Sequence, residues 1–345
     1  MAKGATGFDW VSILIYFLLV CFGWANIYSA SLGTNTESFF DLSQPYGKQA
    51  LFIGLSIFLI IVVLSIEAKF YQRFSSVIYL ISLLSLAGLF VFGKTISGAT
   101  SWYSFGSFSL QPSEFAKFAT ALALAKYLSD IQTNIRKLSH QVKAFIIIIL
   151  PALIIIPQPD PGSALVYAAF FFPLYREGLS GFYLITGFSA ISVFILTLLV
   201  GPIWVSAGVL LIAIFIFLRK RKKRPGRVLI SLFTISIIAL SFSVNYIFEN
   251  VFEQRHRDRF NIVLGQEVDS RGIGYNTNQS EIAIGSGGWF GKGWTEGTQT
   301  KGHFVPEQHT DYIFSTVGEE WGFVGSATVI ILFVLLLIRL LQLAE

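Results

Sequence analysis

Four ionisable side chains stand inside or at the edge of strongly apolar stretches, where an uncompensated charge is expensive and so marks a candidate site. Glu114 and Lys117 are three residues apart, a spacing that lets them pair on one helix face. Such a pair either lines a polar cavity or simply neutralises itself. Asp160 stands in Pro157-Gln158-Pro159-Asp160-Pro161-Gly162, between two short apolar segments. It is either part of a binding site at a break between them or the cap of a helix-ending turn. Asp311 follows His309-Thr310 where a glycine-rich stretch enters the last apolar run. There it is either the N-cap of the helix it opens or a general base. A carboxylate at a membrane surface can take the proton of a sugar hydroxyl attacking an anomeric carbon, with a pyrophosphate leaving. Lys117, Arg257 and Arg259 are cations able to offset the charge developing on that phosphate, and His309 is an alternative base.

The elements that must position these groups are membrane helices. The chain has 345 residues, of which 54% are hydrophobic and 13% charged, with a mean hydropathy of +0.66. Soluble domains average about 45–50% apolar and about 25% charged, so a soluble enzyme, a coiled coil and a disordered chain are excluded. Apolar runs lie at 11–30, 51–66, 76–93, 112–128, 144–156, 163–175, 181–200, 203–218, 228–248 and 311–338. They predict an all-α polytopic membrane protein with about ten spans. Several runs fall short of the ~20 apolar residues a span needs, so these must borrow polar flanks or be broken or tilted. Leu18-Leu19-Val20-Cys21 has the outline of a lipoprotein cleavage site, but Val20 is bulky and Lys3 is a meagre n-region. The first helix is therefore expected to be retained. One cysteine forms no intrachain disulfide, and no Cys/His cluster suggests zinc. A divalent cation such as Mg²⁺ is left open.

With the N-terminus inside, alternating spans put sixteen Lys and Arg residues in inside loops, among them the run Arg219-Lys220-Arg221-Lys222-Lys223-Arg224. Only Lys48 and Lys94 fall in short outside loops. The positive-inside rule then predicts N-in and C-in, and it reads the basic run as an anchor rather than a lipid or nucleic-acid site. Residues 1–248 are expected to hold nine helices with short loops. Residues 249–310 form a large extracytoplasmic loop, and 311–345 the last helix and a cytoplasmic end. The loop keeps Tyr275, Trp289, Phe290, Trp294 and Phe304, aromatics that argue for order. Its Gly285-Ser286-Gly287-Gly288 stretch follows no strand as a nucleotide-binding turn would and reads as a tight re-entrant turn. With no nucleotide motif, ATP-driven transport by this chain alone is not expected.

Several of these segments are similar to a known family. Trp102-Tyr103-Ser104-Phe105-Gly106 and Leu110-Gln111-Pro112-Ser113-Glu114-Phe115-Ala116-Lys117 resemble its third-to-fourth-helix signature. Gln158-Pro159-Asp160-Pro161-Gly162 resembles its Gln-Pro-Asp-x-Gly turn. Ala283-Ile284-Gly285-Ser286-Gly287-Gly288 and Pro306-Glu307-Gln308-His309-Thr310-Asp311-Tyr312-Ile313-Phe314 resemble its large outer loop. This is the SEDS family (shape, elongation, division and sporulation). Gly291-Lys292-Gly293 and Gly297-Thr298-Gln299 favour its RodA elongation branch over its FtsW division branch.

The resemblance implies a peptidoglycan glycosyltransferase of the bacterial cytoplasmic membrane. Its substrate would be lipid II, a disaccharide-pentapeptide on undecaprenyl pyrophosphate, polymerised at the outer face. Asp311 takes the family's catalytic position, and Trp102, Glu114, Lys117 and Asp160 match positions lining its central cavity. The implied partner is a class B penicillin-binding protein, within an elongation complex of other membrane proteins; no nucleic-acid partner is implied. The family usually closes with two further helices and a Pro-Phe-x-Ser-Tyr-Gly-Gly-type motif, which are absent here, and 203–218 with 228–248 read as an extra hairpin. Two rival functions stay open: a lipid II flippase, which also needs a polar cavity, and a scaffold that only docks partner helices.

Overall fold

The computed structural model describes residues 9–32, 40–96, 98–106, 108–219, 224–250, 252, 254–265 and 274–345. All ten apolar runs fall on helices. Eight helices among the described residues are long and apolar enough to cross a membrane. The other two runs differ for plain reasons: 112–128 carries charged residues, and 163–175 is broken into short pieces. Helices also begin earlier than the apolar runs, as at Pro45 and Ala68, because a helix continues through the polar and aromatic residues that sit at headgroup level. Two compact units divide the chain: residues 1–64 with 250–345, and residues 65–249.

In the second unit, α3 (Ala68–Phe92), α4 (Pro112–Ser129) and α5 (Leu138–Ile155) pack together. The small buried residues of α4 are Ser113, Ala116, Ala119, Thr120 and Ala123, beside buried Pro112 and Leu124. This stripe at helical spacing lets neighbouring backbones approach closely, as small residues do where lipid is the solvent. Large side chains such as Phe115 and Phe118 point outward. Pro151 lies inside α5. Lacking an N–H, it leaves the carbonyl of Ile147 without its helical donor, and Tyr79 Oη donates to that oxygen at 3.0 Å.

Three short antiparallel strands, unexpected from the sequence, join α3 to α4: β1 (Lys94–Ile96), β2 (Ala99–Phe105) and β3 (Phe108–Leu110). Trp102 pairs with Lys94, and Tyr103 with Leu110. Tyr103 Oη donates to Ser85 O at 2.8 Å, and Gln158 Nε2 donates to Leu86 O at 3.0 Å, so α3 holds both the sheet and the end of α5. The chain then runs through α6 (Pro161–Leu165), a 3-10 turn and α7 (Phe171–Arg176), the broken segment the short apolar run foretold. α8 (Gly181–Val200) reverses at Gly201 into α9 (Pro202–Arg219), and α10 (Arg224–Asn250) returns. Thr197 on α8 and Ser241 on α10 hydrogen-bond at 3.0 Å.

In the first unit, α1 (Trp10–Ala30) packs against α14 (Ile313–Ala344). Trp24 Nε1 on α1 donates to Tyr46 O of α2 (Pro45–Ser65) at 3.0 Å. The stretch expected to be one outer loop carries α11 (Gln254–Val263), α12 (Gly274–Ser286) and the single turn α13 (Thr298–Lys301). α12 packs on α14.

Candidate active site

Asp311 lies in the turn before α14 and is exposed. The N-cap position belongs to Tyr312, and no side chain caps this helix end. The capping reading of Asp311 is therefore set aside: the chain reaches helical geometry one residue later. Among the described residues the Asp311 carboxylate has no hydrogen-bond or ion-pair partner.

The residues around it are firmly held. Gln308 is buried, and its Nε2 lies 2.8 Å from Ala30 O, 2.9 Å from Thr300 O and 2.9 Å from His303 Nδ1. On the other flank, Tyr312 Oη and Thr277 Oγ1 of α12 share a hydrogen bond of 3.1 Å. Glu307, with φ of 54°, turns the chain so that its carbonyl accepts from Thr310 N at 3.1 Å and Tyr312 N at 3.2 Å. A carboxylate fixed in place yet unpartnered matches what a general base needs before its substrate arrives. His309 is half-buried in the same turn.

The helix that Asp311 precedes is interrupted. Gly322 has φ 64° and ψ −160°, a region essentially reserved for glycine. The break frees backbone groups, and the glycine-rich stretch supplies their partners. Phe323 N donates to Gly288 O at 2.9 Å and Val324 N to Trp289 O at 3.1 Å, while Lys292 N and Gly293 N donate to Glu319 O and Glu320 O, each at 3.0 Å. The approach is so close that a Cβ on Gly291 would lie 2.1 Å from Glu320 O. The re-entrant turn expected from sequence is thus a plug in a helix break.

The second group of candidate residues is mutually bonded. Lys117 Nζ lies 2.7 Å from Glu114 Oε1, with side-chain exposures of 23% and 56%. Asp160 caps α6: its Oδ1 accepts from Ser163 N at 3.1 Å and its Oδ2 from Ser163 Oγ at 2.7 Å. Gln111 Nε2, immediately before α4, donates to the same Oδ2 at 3.1 Å. Trp102 is half-buried on β2, whose Thr100 N donates to Gln158 O at 3.2 Å. Glu114, Lys117, Asp160 and Trp102 therefore belong to one unit, framed by Gln111 and Gln158. Arg257 lies on α11, where its guanidinium donates to Gln254 Oε1 at 2.7 Å. Arg259 is on the same helix, with its side chain outside the described residues. Among the described residues no three or more His, Cys, Asp or Glu side chains gather as metal ligands.

A family model described as cell cycle protein, covering FtsW, RodA and SpoVE, matches residues 9–224 and 188–345. The chain belongs to the SEDS family. Its two matched segments overlap at 188–224, which takes in 203–218, the first arm of the hairpin read as extra, but not 228–248, its second. This SEDS chain is 32% identical over 368 residues to the peptidoglycan glycosyltransferase RodA of Treponema pallidum, covering 99% of this chain and 83% of that one. It is 30% identical over 294 residues to the peptidoglycan glycosyltransferase MrdB of Escherichia coli, covering 85% of this chain and 66% of that one. A solved chain from a peptidoglycan synthase complex superposes with a TM-score of 0.64 at 23% identity, over 98% of this chain and 79% of that one. Like other SEDS proteins it is a multi-pass protein of the bacterial cytoplasmic membrane.

Two acids of this SEDS chain escaped the sequence reading. Glu319 is fully buried and accepts from Lys292 Nζ, Thr298 Oγ1, Gln299 N, and both N and Oγ1 of Thr300. Glu320 is buried beside it and accepts from Ser29 Oγ of α1. The signal was available: two adjacent carboxylates within an apolar run are as expensive as the four residues singled out.

Proposed function

We propose that this chain is a peptidoglycan glycosyltransferase that polymerises lipid II into glycan strands during cell elongation, with Asp311 as the general base. The observation that carries the reading is the exposed Asp311 carboxylate, without a partner among the described residues, in a turn tethered on both sides by Gln308 and Tyr312. In the reaction, a sugar hydroxyl of one lipid-linked glycan attacks the anomeric carbon of another. Asp311 takes the hydroxyl proton, the new glycosidic bond forms, and the anomeric bond to the lipid pyrophosphate breaks. Lys117, Arg257 and Arg259 are the cations proposed to meet the leaving pyrophosphate. Trp102, Glu114, Asp160 and His309 complete the proposed substrate contacts.

This chemistry requires the Asp311 turn at the outer face, hence the N-in, C-in arrangement that the positive residues favour. Cysteines introduced at Lys222 and Lys301, with Cys21 replaced, test it in intact cells. Membrane-impermeant label should reach the second and not the first; the reverse overturns the outer-face reading. The proposed partner is a class B penicillin-binding protein that cross-links the product; the similarly folded solved chain belongs to a complex that coordinates polymerization and crosslinking. The decisive assay supplies lipid II to the purified full chain with its transpeptidase and reads polymer on a gel. Polymer supports the enzyme. Transfer of labelled lipid II across a vesicle membrane without polymer replaces it with the flippase, and neither activity leaves the scaffold.

A further inference from the structure

We propose that Glu319 is a positioning residue for Asp311, holding the catalytic turn through Thr300 and Gln308; this rests on the reading of Asp311 as the base. A fully buried carboxylate is tolerated only when its oxygens are saturated with donors. Glu319 meets that condition: Oε1 accepts from Lys292 Nζ at 2.7 Å, Gln299 N at 2.8 Å and Thr298 Oγ1 at 3.2 Å, and Oε2 from Thr300 N and Thr300 Oγ1, each at 2.8 Å. Every one of these donors comes from 292–300, the segment leading into the Asp311 turn. The carboxylate thus folds that segment around the first turns of α14.

Thr300 is the link. Its N–H and hydroxyl are held by Glu319, while its carbonyl accepts from Gln308 Nε2 at 2.9 Å. Gln308 also reaches Ala30 O on α1 at 2.8 Å and stands three residues before Asp311. The path from Glu319 to the base is therefore two hydrogen-bonded steps and one short turn of chain. Packing around it is tight, since a Cβ on Gly297 would lie 2.7 Å from Glu319 Oε2. Small displacements of the carboxylate must pass into the turn rather than be absorbed by empty space.

Glu319→Gln keeps the size but exchanges one acceptor oxygen for an amide NH₂. In one orientation the amide and hydroxyl of Thr300 then face a donor; in the other, Lys292, Gln299 N and the hydroxyl of Thr298 do. A base misplaced by about 1 Å costs up to ~10²-fold in rate. The test compares Glu319→Gln, Asp311→Asn and the double variant, each as the full membrane-inserted chain with its transpeptidase, with rates normalised to folded protein. Glu319→Gln should lower kcat about 10- to 100-fold with KM within about twofold. The double variant should be no slower than Asp311→Asn alone, because positioning has no value once the base is gone. Glu319→Asp, which keeps the charge, should recover part of the rate.

If Glu319→Gln lowers only the yield of folded protein and leaves kcat unchanged, or if the two losses multiply, Glu319 is structural and the proposal is overturned while the role of Asp311 stands. If Asp311→Asn polymerises normally, the reading of Asp311 falls, whatever Glu319→Gln does. Should Glu319→Gln fail to fold, Lys292→Met removes one donor from a side chain that is 28% exposed. It should lower kcat about 3- to 10-fold at constant KM; an unchanged kcat overturns the proposal.

Discussion

Around Asp160 both carboxylate oxygens are engaged, by Ser163 and Gln111, and Glu114 is neutralised by Lys117 at 2.7 Å. Around Asp311 the bonding is reversed: Gln308 and Tyr312 are tied to distant helices while the carboxylate between them has no partner among the described residues. One region spends its polar groups on its own architecture. The other spends its neighbours' polar groups so that one carboxylate stays available. Charge alone did not distinguish the two regions, because each holds carboxylates in apolar surroundings; the count of donors on each oxygen does.

That contrast is broken most severely at the helix interruption beneath Asp311. A Cβ on Gly322 would sit 2.3 Å from Gly291 N at a φ of 64°. Strain and overlap together should cost about 3–5 kcal/mol, so Gly322→Ala should sharply reduce the folded fraction on detergent size exclusion. Gly162 in the other region meets nothing closer than Asp160 Oδ1 at 3.8 Å, and Gly162→Ala should fold normally. Equal yields of the two variants would show that the break does not support the turn.

Asp160 comes next. Asp160→Ala removes the cap of α6 and a partner of Gln111, a loss of about 1–2 kcal/mol in stability. Asp160→Asn caps about as well and should stay within about 0.5 kcal/mol of wild type by thermal denaturation. An Asn variant as unstable as Ala would mean that the charge, not the cap, organises this region.

The Glu114–Lys117 pair is smaller still. At 56% and 23% exposure its coupling is that of a surface pair, about 0.5–1 kcal/mol, well short of the buried-pair cost that burial of both groups would bring. A double-mutant cycle with Glu114→Gln and Lys117→Met should show that coupling; strict additivity would dissolve the pair.

The smallest effect lies at the far end of α14, where Arg339 donates to Asp9 at 3.1 Å. The Arg339 guanidinium, then Ser12, hold the Asp9 carboxyl below its ordinary range. A lowered folded-state pKa gives stability that is present at neutral pH and lost as pH falls through that lowered value. Arg339→Ala should therefore melt slightly earlier than wild type at pH 7, with the gap closing in acid. A gap that widens in acid would contradict this.

Much of this was legible in the sequence, for reasons specific to membranes. All ten apolar runs became helices because lipid admits only helices and closed barrels and these runs are continuously apolar rather than alternating, and the i, i+3 spacing correctly paired Glu114 with Lys117. The strands at 94–110 were missed because β1 and β3 are three residues long and the seven residues of β2, Ala99–Phe105, do not alternate between apolar and polar. The helices α11 to α13 were missed because their sequence carries no long apolar run, and α12 and α13 are held by their packing on α14. The Gly322 break depends on backbone bonds from Phe323 and Val324 to Gly288 and Trp289, which no local pattern encodes, whereas Glu319 and Glu320 were legible as adjacent carboxylates in an apolar run and only their partners, such as Ser29 for Glu320, needed the fold. Asp311 was found in sequence, but its freedom from capping became visible only with the backbone of the turn.

The central claim is that Asp311 acts through its negative oxygen rather than its shape. The measurement is the rate of lipid II polymerisation by Asp311→Asn, full chain with its transpeptidase, after folding and membrane insertion are confirmed. Asn matches Asp in size, and Asp311 neither caps α14 nor bonds a described neighbour, so the fold has no reason to change. Loss of a general base predicts a rate lower by ~10²–10⁴-fold. Polymer made at near the wild-type rate would contradict the account and move the base to His309 or the function to transport.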